Sequence, residues 1–376
     1  MGFVPFAMER WQSTWENRVR FNLSESGVHP LSTTELLTLV GGDADDILGR
    51  RLGYPQSNGT EPLRTAIAAL YPGATTDHLI VTSGSAEANF INCWQLLEPG
   101  TSVAIVLPTY MQTWGLAKNF GATVREIPLR EDRGWQPDPA DIDAAITPGT
   151  RLVIVTNPNN PTGAVMAPAL VEHIARRADA VGAWLLADEV YQGAERAGGP
   201  PTPSFWGKGE RVIVVNGLSK AYGMPGLRIG WCVAPPAHIA ALWARKDYTT
   251  IGPTVMSDAL ATLAVQPSVR PRIFERTRGI LRTNWAVIEA WMRGLDGEFT
   301  WRAPDAGAIV WPRYRTSANS SALAETLRAQ HDVLIVPGDQ FGMDGYLRLG
   351  FGLPADELQH ALARMGLAFG REGVPA

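Results

Sequence analysis

Cysteine is scarce in this 376-residue sequence, which contains only Cys93 and Cys232, each within an apolar segment. Two isolated cysteines exclude the disulfide framework that holds small secreted domains together. They are more typical of small buried side chains in a protein of a reducing compartment. The first twenty residues also lack the basic start and long apolar core of a signal peptide. We therefore expect a cytoplasmic protein.

The sequence also lacks an excess of basic residues and any long apolar run. Lysine and arginine number 33 against 37 aspartates and glutamates, so the formal net charge is −4 and no basic stripe is available for duplex nucleic acid. No apolar run approaches the ~20 residues that cross a bilayer. The six histidines show no paired metal-binding spacing. These absences predict no nucleic-acid partner, no membrane partner and no metal site.

Short β-branched runs alternate with longer helical patterns between residues 60 and 235. This alternation is typical of a mainly parallel sheet with helices on both faces. Helices are predicted at residues 85–97 and 167–182, the second ending at Gly182 as a C-cap glycine would. The seven predicted strands cover residues 78–82, 102–107, 123–129, 151–156, 183–188, 211–216 and 229–235.

The last third of the chain has a different pattern. Residues 236–295 are helical over a long stretch, and shorter strands then return. These strands are predicted at residues 307–314, 332–338 and 346–352. The pattern predicts a second, smaller α+β domain that a long helix joins to the large α/β domain. We expect the large domain at residues 36–250, and the interdomain helix with the small domain at residues 251–376.

Polar residues follow four of the predicted strands at the point where each strand ends. They are Gly84, Ser85 and Ala86, the run "NPNNPTG" at residues 157–163, "DEVY" from Asp188 to Tyr191, and Ser219 with Lys220. Parallel strands place their carboxyl ends at one edge of a sheet, where ligand sites of α/β proteins form. Lys220 is the most informative of these residues, because small and apolar residues surround it directly after a buried-strand pattern. One common site is therefore predicted.

Together, these residue types could bind pyridoxal 5′-phosphate and support its chemistry. Desolvation of a lysine in a largely apolar pocket favours the neutral amine, which forms a Schiff base with an aldehyde. An aspartate keeps a heteroaromatic nitrogen protonated, so that the ring withdraws electrons. A glycine-containing turn that leads into a helix offers backbone N–H groups to a phosphate, and an arginine adds a bidentate contact.

The same motifs resemble those of the class I/II aminotransferases, which are fold-type I pyridoxal-phosphate enzymes. "NPNNPTG" and "DEVY" precede the signature "SKxxGxxGxRxG" in the order of that family, and the resemblance covers nearly the full chain. The signature is matched by Ser219, Lys220, Gly223, Gly226, Arg228 and Gly230. The resemblance implies a large domain with a mixed, mostly parallel seven-stranded sheet flanked by helices, a smaller α+β domain, and a segment at residues 1–35 that joins the small domain and closes over substrate.

The resemblance also implies roles for the strand-end residues. Lys220 would form the internal aldimine and move the substrate's α-proton, and Asp188 would pair with the pyridine nitrogen. Asn160 and Tyr191 would bond the phenolic oxygen, Asn160 would also contact substrate, and Tyr110 would stack on the ring. The phosphate-binding set would be Gly84, Ser85, Ala86, Ser219 and Arg228.

Three further residues match the family outside these strand ends. Arg348 in "YLRLGFG" resembles the arginine that clamps the substrate α-carboxylate, and Gly27 in "LSESGVHP" belongs to the mobile segment over the substrate. Tyr54 resembles the tyrosine that reaches the phosphate of the neighbouring subunit, which implies a homodimer with shared sites. Taken singly, Asp188 could be a helix N-cap, Tyr191 a core side chain and Arg348 half of a surface ion pair.

Gly217 departs from the family pattern. A serine or threonine often stands three residues before the lysine, and its hydroxyl bonds the phosphate, whereas this chain has glycine there. One phosphate contact is therefore missing, and backbone N–H groups or water would have to replace it.

The reaction implied first is transamination of an L-α-amino acid, through an external aldimine and a quinonoid. The segments "ESGVHPLS", "SKAYGMPGLRIGWCVAP" and "VLIVPGDQFG" resemble capreomycidine synthase-like enzymes of natural-product pathways more than aspartate or aromatic aminotransferases. The alternative is therefore β/γ-elimination, replacement or cyclisation, as in those enzymes or in aminocyclopropane-carboxylate synthase-like enzymes that use S-adenosylmethionine. A non-catalytic regulator is a third interpretation, but no helix-turn-helix segment or basic linker supports it. No second arginine is placed for a distal carboxylate, so an acidic substrate has no special support.

Overall fold

The computed structural model describes residues 2–370. The segment that precedes the large sheet is mostly helical, and its helices have clear start signals. Ser32 and Glu35 form a capping box at the second helix, and the Thr60 side chain accepts from Leu63 N at the fourth. These elements are α1 (Ala7–Trp15), β1 (Phe21–Asn22), α2 (Thr33–Val40), α3 (Ala44–Leu48) and α4 (Glu61–Ala68).

An eight-stranded sheet forms the centre of the molecule, in the order β2-β9-β8-β7-β6-β3-β4-β5. Its strands are β2 (Leu79–Ser83), β3 (Ser102–Leu107), β4 (Thr123–Arg130), β5 (Gln136–Pro137), β6 (Thr150–Thr156), β7 (Trp184–Asp188), β8 (Val212–Gly217) and β9 (Ile229–Val233). β9 runs antiparallel to β2 and β8, and β5 runs antiparallel to β4. The other neighbouring strands are parallel.

Seven of these strands are the predicted ones, with bounds that differ by at most two residues. The sheet nevertheless has eight strands rather than seven, because β5 pairs with the edge strand β4 through two residues only. A Gln-Pro dipeptide is too short to show alternating apolar and polar residues, and it contains no β-branched side chain. The sequence therefore contains no signal for this strand.

Helices cover both faces of the sheet, as the continuous apolar strands require. Ile80 and Ile105 belong to one apolar cluster, whereas their neighbours Val81 and Val106 belong to a second cluster, since successive side chains point to opposite faces. The covering helices are α5 (Gly84–Leu96), α6 (Gln112–Asn119), α7 (Pro139–Ala145), α8 (Pro168–Ala180) and α9 (Pro236–Lys246).

The remaining elements build the smaller α+β part that the sequence predicted. They are α10 (Val255–Ala264), α11 (Arg270–Arg293), β10 (Phe299–Thr300), β11 (Ile309–Val310), β12 (Arg313–Tyr314), α12 (Ser320–His331), β13 (Val333–Leu334), β14 (Val336–Pro337), β15 (Leu347–Gly350) and α13 (Ala355–Leu367). The predicted long helix corresponds to α11, which has 24 residues. Division of the chain at residues 36 and 251 stays a prediction. Within residues 2–370, no helix combines the length and apolarity needed to cross a bilayer.

The N-terminal segment docks on strands of the C-terminal part. β1 pairs in parallel with β13, and Gly350 N donates to Leu23 O at 2.7 Å. A Cβ on Gly350 would lie 2.1 Å from Glu25 O, and one on Gly352 would lie 2.0 Å from Gly27 O. Only glycine permits this approach, so residues 23–27 are held directly against β15.

Candidate active site

A cavity of about 370 Å³ lies at the carboxyl edge of the central sheet. It is there because several strands end at this edge: β2 leads into Gly84, β7 ends at Asp188, and β8 ends just before Ser219 and Lys220. β9 runs the other way, so Arg228 directly before it reaches the same edge. The predicted site residues that line the cavity are Ser85, Ala86, Tyr110, Asn160, Asp188, Tyr191, Ser219, Lys220, Arg228 and Arg348.

Three predicted residues, Gly27, Tyr54 and Gly84, are not among the residues that line the cavity. A Cβ on Gly27 would stand 3.3 Å from Ser219 O and 3.6 Å from Lys220 Cδ, so the backbone of Gly27 passes directly over the lysine. Tyr54 is 93% exposed and does not line the cavity. Within one protomer the structure therefore brings Gly27 to the site and leaves Tyr54 outside it.

The start of α5 forms a cradle of the kind that holds a phosphate. Gly84 has φ +78°, and a Cβ there would lie 2.2 Å from Arg228 Nη2, so the guanidinium covers the first turn of the helix. Arg228 Nη1 lies 3.5 Å from Ser219 Oγ. Helix N–H groups, a guanidinium and a hydroxyl at one point fit a phosphate dianion, and Ala86 adds a further wall.

Lys220 makes an ion pair that the sequence did not predict. Its Nζ lies 2.7 Å from Glu25 Oε1. Burial lowers the pKa of Lys220, but the Glu25 carboxylate, with a smaller contribution from Tyr191, outweighs burial, so the pKa of Lys220 is raised. The same pair lowers the pKa of Glu25 to about 2. Desolvation favours the neutral amine, as expected from the sequence, but in this arrangement the Glu25 carboxylate favours the protonated form more strongly.

Asp188 is buried at the base of the cavity. Asn89 Nδ2 donates to Asp188 Oδ2 at 3.0 Å, and Val190 N donates to Oδ1 at 3.3 Å. Burial raises the pKa of Asp188, because these two contacts and the more distant Lys220 only partly offset desolvation. A cationic group such as a protonated pyridine nitrogen would hold this carboxylate in its ionised form. The side chain therefore suits the ring of pyridoxal phosphate.

Tyr191 and Tyr110 bind residues of the N-terminal segment. Tyr191 Oη donates to Ser26 Oγ at 2.9 Å, and Tyr110 Oη donates to Glu9 Oε2 at 3.1 Å. Burial raises the pKa of both phenols. Both rings line the cavity as predicted, and their hydroxyls connect its floor to residues 9 and 26.

Arg348 is only 1% exposed, which excludes its interpretation as half of a surface ion pair. Nη1 donates to Asn160 Oδ1 at 3.1 Å, and Nη2 donates to Ser24 O at 2.5 Å and Gln12 Oε1 at 3.3 Å. Nε is buried without a hydrogen-bond partner among the described residues, and no carboxylate there pairs with the guanidinium. Such a buried cation beside a cavity is suited to receive a carboxylate.

The family model for aminotransferase class I and II matches residues 43–365. The chain belongs to the class I and II aminotransferase family. Capreomycidine synthase of Streptomyces vinaceus is 34% identical over 96% of this chain and 93% of that one. Arginine–pyruvate transaminase of Pseudomonas aeruginosa is 30% identical over 88% of this chain and 85% of that one.

Solved structures agree with this class I and II aminotransferase assignment. A PLP-dependent aminotransferase from Streptococcus suis superposes with a TM-score of 0.91 at 31% identity, over 100% of both chains. The PLP-dependent cyclase OrfR superposes with a TM-score of 0.89 at 29% identity, over 98% of both chains. The fold is therefore that of the fold-type I enzymes, and the cofactor is pyridoxal 5′-phosphate.

Gly217, which departs from the pattern of this aminotransferase family, has a packing explanation. It pairs with Gly230 across β8 and β9, and a Cβ on Gly217 would lie 3.0 Å from Ile229 O and 3.2 Å from Gly230 Cα. A serine would require these backbones to separate by a few tenths of an ångström. The tight strand pair thus explains the glycine.

Several polar side chains that contact the predicted site residues were not predicted from the sequence, among them Asn89 and Glu25. Asn89 lies on α5, 99 residues before the aspartate that it contacts, and Glu25 lies 195 residues before Lys220. The segment "LSESGVHP" was singled out for Gly27, but nothing in it marks Glu25 as the partner of a lysine. Only the docking of residues 23–27 on β15 creates that contact.

The ion pair predicts that Glu25→Gln lowers the pKa of Lys220. The neutral amine would then be available at lower pH, so the rate at which the apoprotein binds pyridoxal phosphate should reach half its maximum at lower pH than in wild type. Stopped-flow absorbance across a pH series measures this midpoint. Glu210→Gln, an exposed change away from the cavity, should keep the wild-type midpoint. An unshifted midpoint in Glu25→Gln would contradict the assignment.

Proposed function

We propose that the protein is an aminotransferase that acts on an L-α-amino acid. The observation that carries this proposal is Lys220, whose amine enters a cavity that also holds the buried Asp188 carboxylate and the buried Arg348 guanidinium. These groups fit an aldehyde, a protonated ring nitrogen and a substrate carboxylate. Lys220 and Asp188 lie at the carboxyl edge of the central sheet and Arg348 lies on β15, so one cavity would contain a base, an electrostatic partner and an anchor for the substrate.

The bound cofactor would supply the electron sink that acidifies the substrate Cα–H. Lys220 Nζ would then take that proton and return it, and Arg348 would orient the substrate through its carboxylate. Asp188 would keep its ring partner charged, with Asn89 fixing the carboxylate. Ser219, Arg228 and the first turn of α5 would hold the phosphate, which anchors the whole assembly.

Elimination, replacement or cyclisation is a second candidate reaction, and two observations favour it. The similarity to capreomycidine synthase spans 96% of the chain, and the cyclase OrfR shares the fold over 98%. Glu25 also places a carboxyl group 2.7 Å from Lys220, so the site contains two acid-base groups. The Glu25 carboxylate would hold the protonated Lys220 while Lys220 gives its proton to a group leaving from the substrate side chain, a step that transamination does not need.

We also propose a homodimer with shared sites in the cytoplasm. Leu52, Tyr54 and Tyr248 are 83%, 93% and 84% exposed. The loop that carries Tyr54 contacts α9, because Trp243 Nε1 donates to Ser57 Oγ at 2.8 Å. Exposed apolar side chains on neighbouring segments favour coverage by another protein surface, and a second copy would bring Tyr54 to the partner's phosphate cradle.

Transamination predicts a single-turnover spectrum. Holoenzyme mixed with an accepted L-amino acid, without an amino acceptor, should lose the visible absorption of lysine-bound pyridoxal phosphate and gain that of pyridoxamine phosphate, with one keto acid released per site. Lys220→Ala should lack the starting band. Product release with full recovery of the starting band would contradict transamination and favour the elimination or cyclisation reaction.

Arg348→Ala should weaken amino-acid binding by ~2–5 kcal/mol, since a buried charge pair loses one partner. Spectral titration of the holoenzyme gives the dissociation constant. The matched control is the amine that lacks the α-carboxylate of the same substrate, whose affinity Arg348→Ala should leave unchanged. If Arg348→Ala weakens the binding of the amino acid and of the amine equally, Arg348 shapes the cavity rather than binding a carboxylate.

Shared sites predict complementation between two inactive variants, Lys220→Ala and Tyr54→Ala. Random mixing should restore about a quarter of wild-type activity, because half of the dimers are hybrids and each hybrid contains one intact site. Activity is measured after subunit exchange, which mass spectrometry of isotopically labelled chains confirms. If exchange occurs and no activity returns, Tyr54 does not act across the interface.

A further inference from the structure

Lys246 is a buried charged residue that the proposed mechanism does not use. It is the last residue of α9, it is 0% exposed, and it does not line the cavity. Nζ donates to Ile251 O at 2.7 Å and to Thr250 Oγ1 at 3.3 Å. The lysines that form ion pairs within residues 2–370 are Lys208 and Lys220, so Lys246 has no directly paired carboxylate there. A buried ammonium of this kind is costly, and its presence calls for an explanation.

A hydroxyl connects Lys246 to Glu87. Thr250 Oγ1 accepts from Lys246 Nζ and donates to Glu87 Oε1 at 2.8 Å. Thr250 N donates to the same oxygen at 3.2 Å, and Thr249 Oγ1 also donates to it. Burial lowers the pKa of Lys246, and the Glu87 carboxylate is the largest opposing influence. The ammonium and the carboxylate therefore form a buried pair with Thr250 between them.

Glu87 belongs to the turn that would hold the phosphate. It lies in the first turn of α5 and is 8% exposed. Ser83 N, directly before Gly84, donates to Glu87 Oε2 at 2.6 Å. The carboxylate thus adds a negative charge to the helix end whose N–H groups would receive a phosphate dianion. Two anionic groups at one buried helix end repel each other unless a cation balances one of them.

The segment that follows Lys246 contains a strained residue. Ile251 is β-branched and has φ +63°, in the left-handed region that such residues rarely adopt. Lys246 holds it on both sides, because Ile251 N donates to Lys246 O at 3.2 Å and Lys246 Nζ donates to Ile251 O. Strain of this kind persists only where the surrounding contacts fix it. Here those contacts keep Thr249 and Thr250 against Glu87.

We propose that Lys246 is a positioning residue for phosphate binding. Through Thr250 it holds the Glu87 carboxylate in place and balances its charge, so that the first turn of α5 accepts a phosphate dianion. This inference rests on the phosphate cradle of the proposed function. It gives a role in cofactor binding to a side chain that does not line the cavity.

A matched pair of ligands isolates the phosphate. 4′-Deoxypyridoxine 5′-phosphate and 4′-deoxypyridoxine lack the aldehyde that reacts with Lys220, and they differ only in the 5′-phosphate. Calorimetric titration of the full-length apoprotein measures both dissociation constants without catalysis. Lys246→Met leaves the charge of Glu87 unbalanced, so it should weaken binding of the phosphorylated ligand at least about tenfold. Binding of the unphosphorylated ligand should stay nearly unchanged.

A second substitution separates charge from packing. Glu87→Gln removes the negative charge, so in the Lys246→Met background it should restore the affinity for the phosphorylated ligand to within about threefold of wild type. Glu87→Gln alone should not weaken this affinity. The loss in Lys246→Met should also be smaller at about pH 5.5 than at about pH 8, because a phosphate with a second pKa of about 6 then carries less charge. A change in packing alone would give neither result.

A conservative pair of variants tests the bridging hydroxyl and does not depend on the folding of Lys246→Met. Thr250→Val removes the hydroxyl and should weaken binding of the phosphorylated ligand several-fold. Thr250→Ser keeps the hydroxyl and should bind this ligand as wild type does. Glu210→Gln, on the exposed surface, should also keep the wild-type affinity.

The outcomes separate this role from the proposed function. The role of Lys246 is overturned, while the phosphate cradle stands, if Lys246→Met weakens both ligands equally, if Glu87→Gln does not rescue it, or if Thr250→Val and Thr250→Ser bind the phosphorylated ligand equally well. If the wild-type apoprotein binds the phosphorylated ligand no more tightly than the unphosphorylated one, the phosphate cradle is wrong, and the role of Lys246 with it.

Discussion

Strand β9 and the first turn of α5 approach each other so closely that no β-carbon fits between them. A Cβ on Gly230 would lie 2.4 Å from Ser85 N, and one on Gly84 would lie 2.2 Å from Arg228 Nη2. This contact brings the helix N–H groups and the guanidinium to one point. β9 also pairs with β8, whose last residue, Gly217, lies three residues before Lys220, so the start of α5, Arg228 and Lys220 lie close to one another.

A second close approach positions the substrate side of the cavity. Gly350 and Gly352 let the backbone of residues 23–27 lie against β15, which carries Arg348. The hydrogen bonds from Gly350 N to Leu23 O and from His29 N to Gly352 O hold the segment that carries Glu25 beside the strand that carries Arg348. α1 is tied to both parts of the molecule, because Val4 N donates to Asn119 Oδ1 and Trp11 Nε1 donates to Ile335 O, each at 2.8 Å. The segment therefore closes the cavity as part of the packed structure.

The parts of the site that the sequence predicted are those for which strand order alone determines position. Asp188, Lys220 and Arg228 follow from parallel strands whose ends share an edge, and continuous apolar runs predict those strands. Glu25 and Asn89 could not be found in this way, because their contacts depend on how distant segments dock. β5 was missed for another reason: a two-residue pairing has no periodicity to detect. The effect of Glu25 on the pKa of Lys220 could not be predicted either, because it depends on the docking of residues 23–27 on β15.

The residues that line the cavity come from two different stretches of the chain. The family model matches residues 43–365, which contain Lys220, Asp188, Arg228 and Arg348. Three further lining residues, Glu9, Glu16 and Glu25, lie before residue 43, on α1 with its C-cap and on the segment docked on β15. A change in α1 leaves the phosphate cradle untouched, since that cradle is built from α5, β8 and β9. An aminotransferase and a cyclase share this fold, so the fold alone does not determine which of the two reactions the cavity carries out.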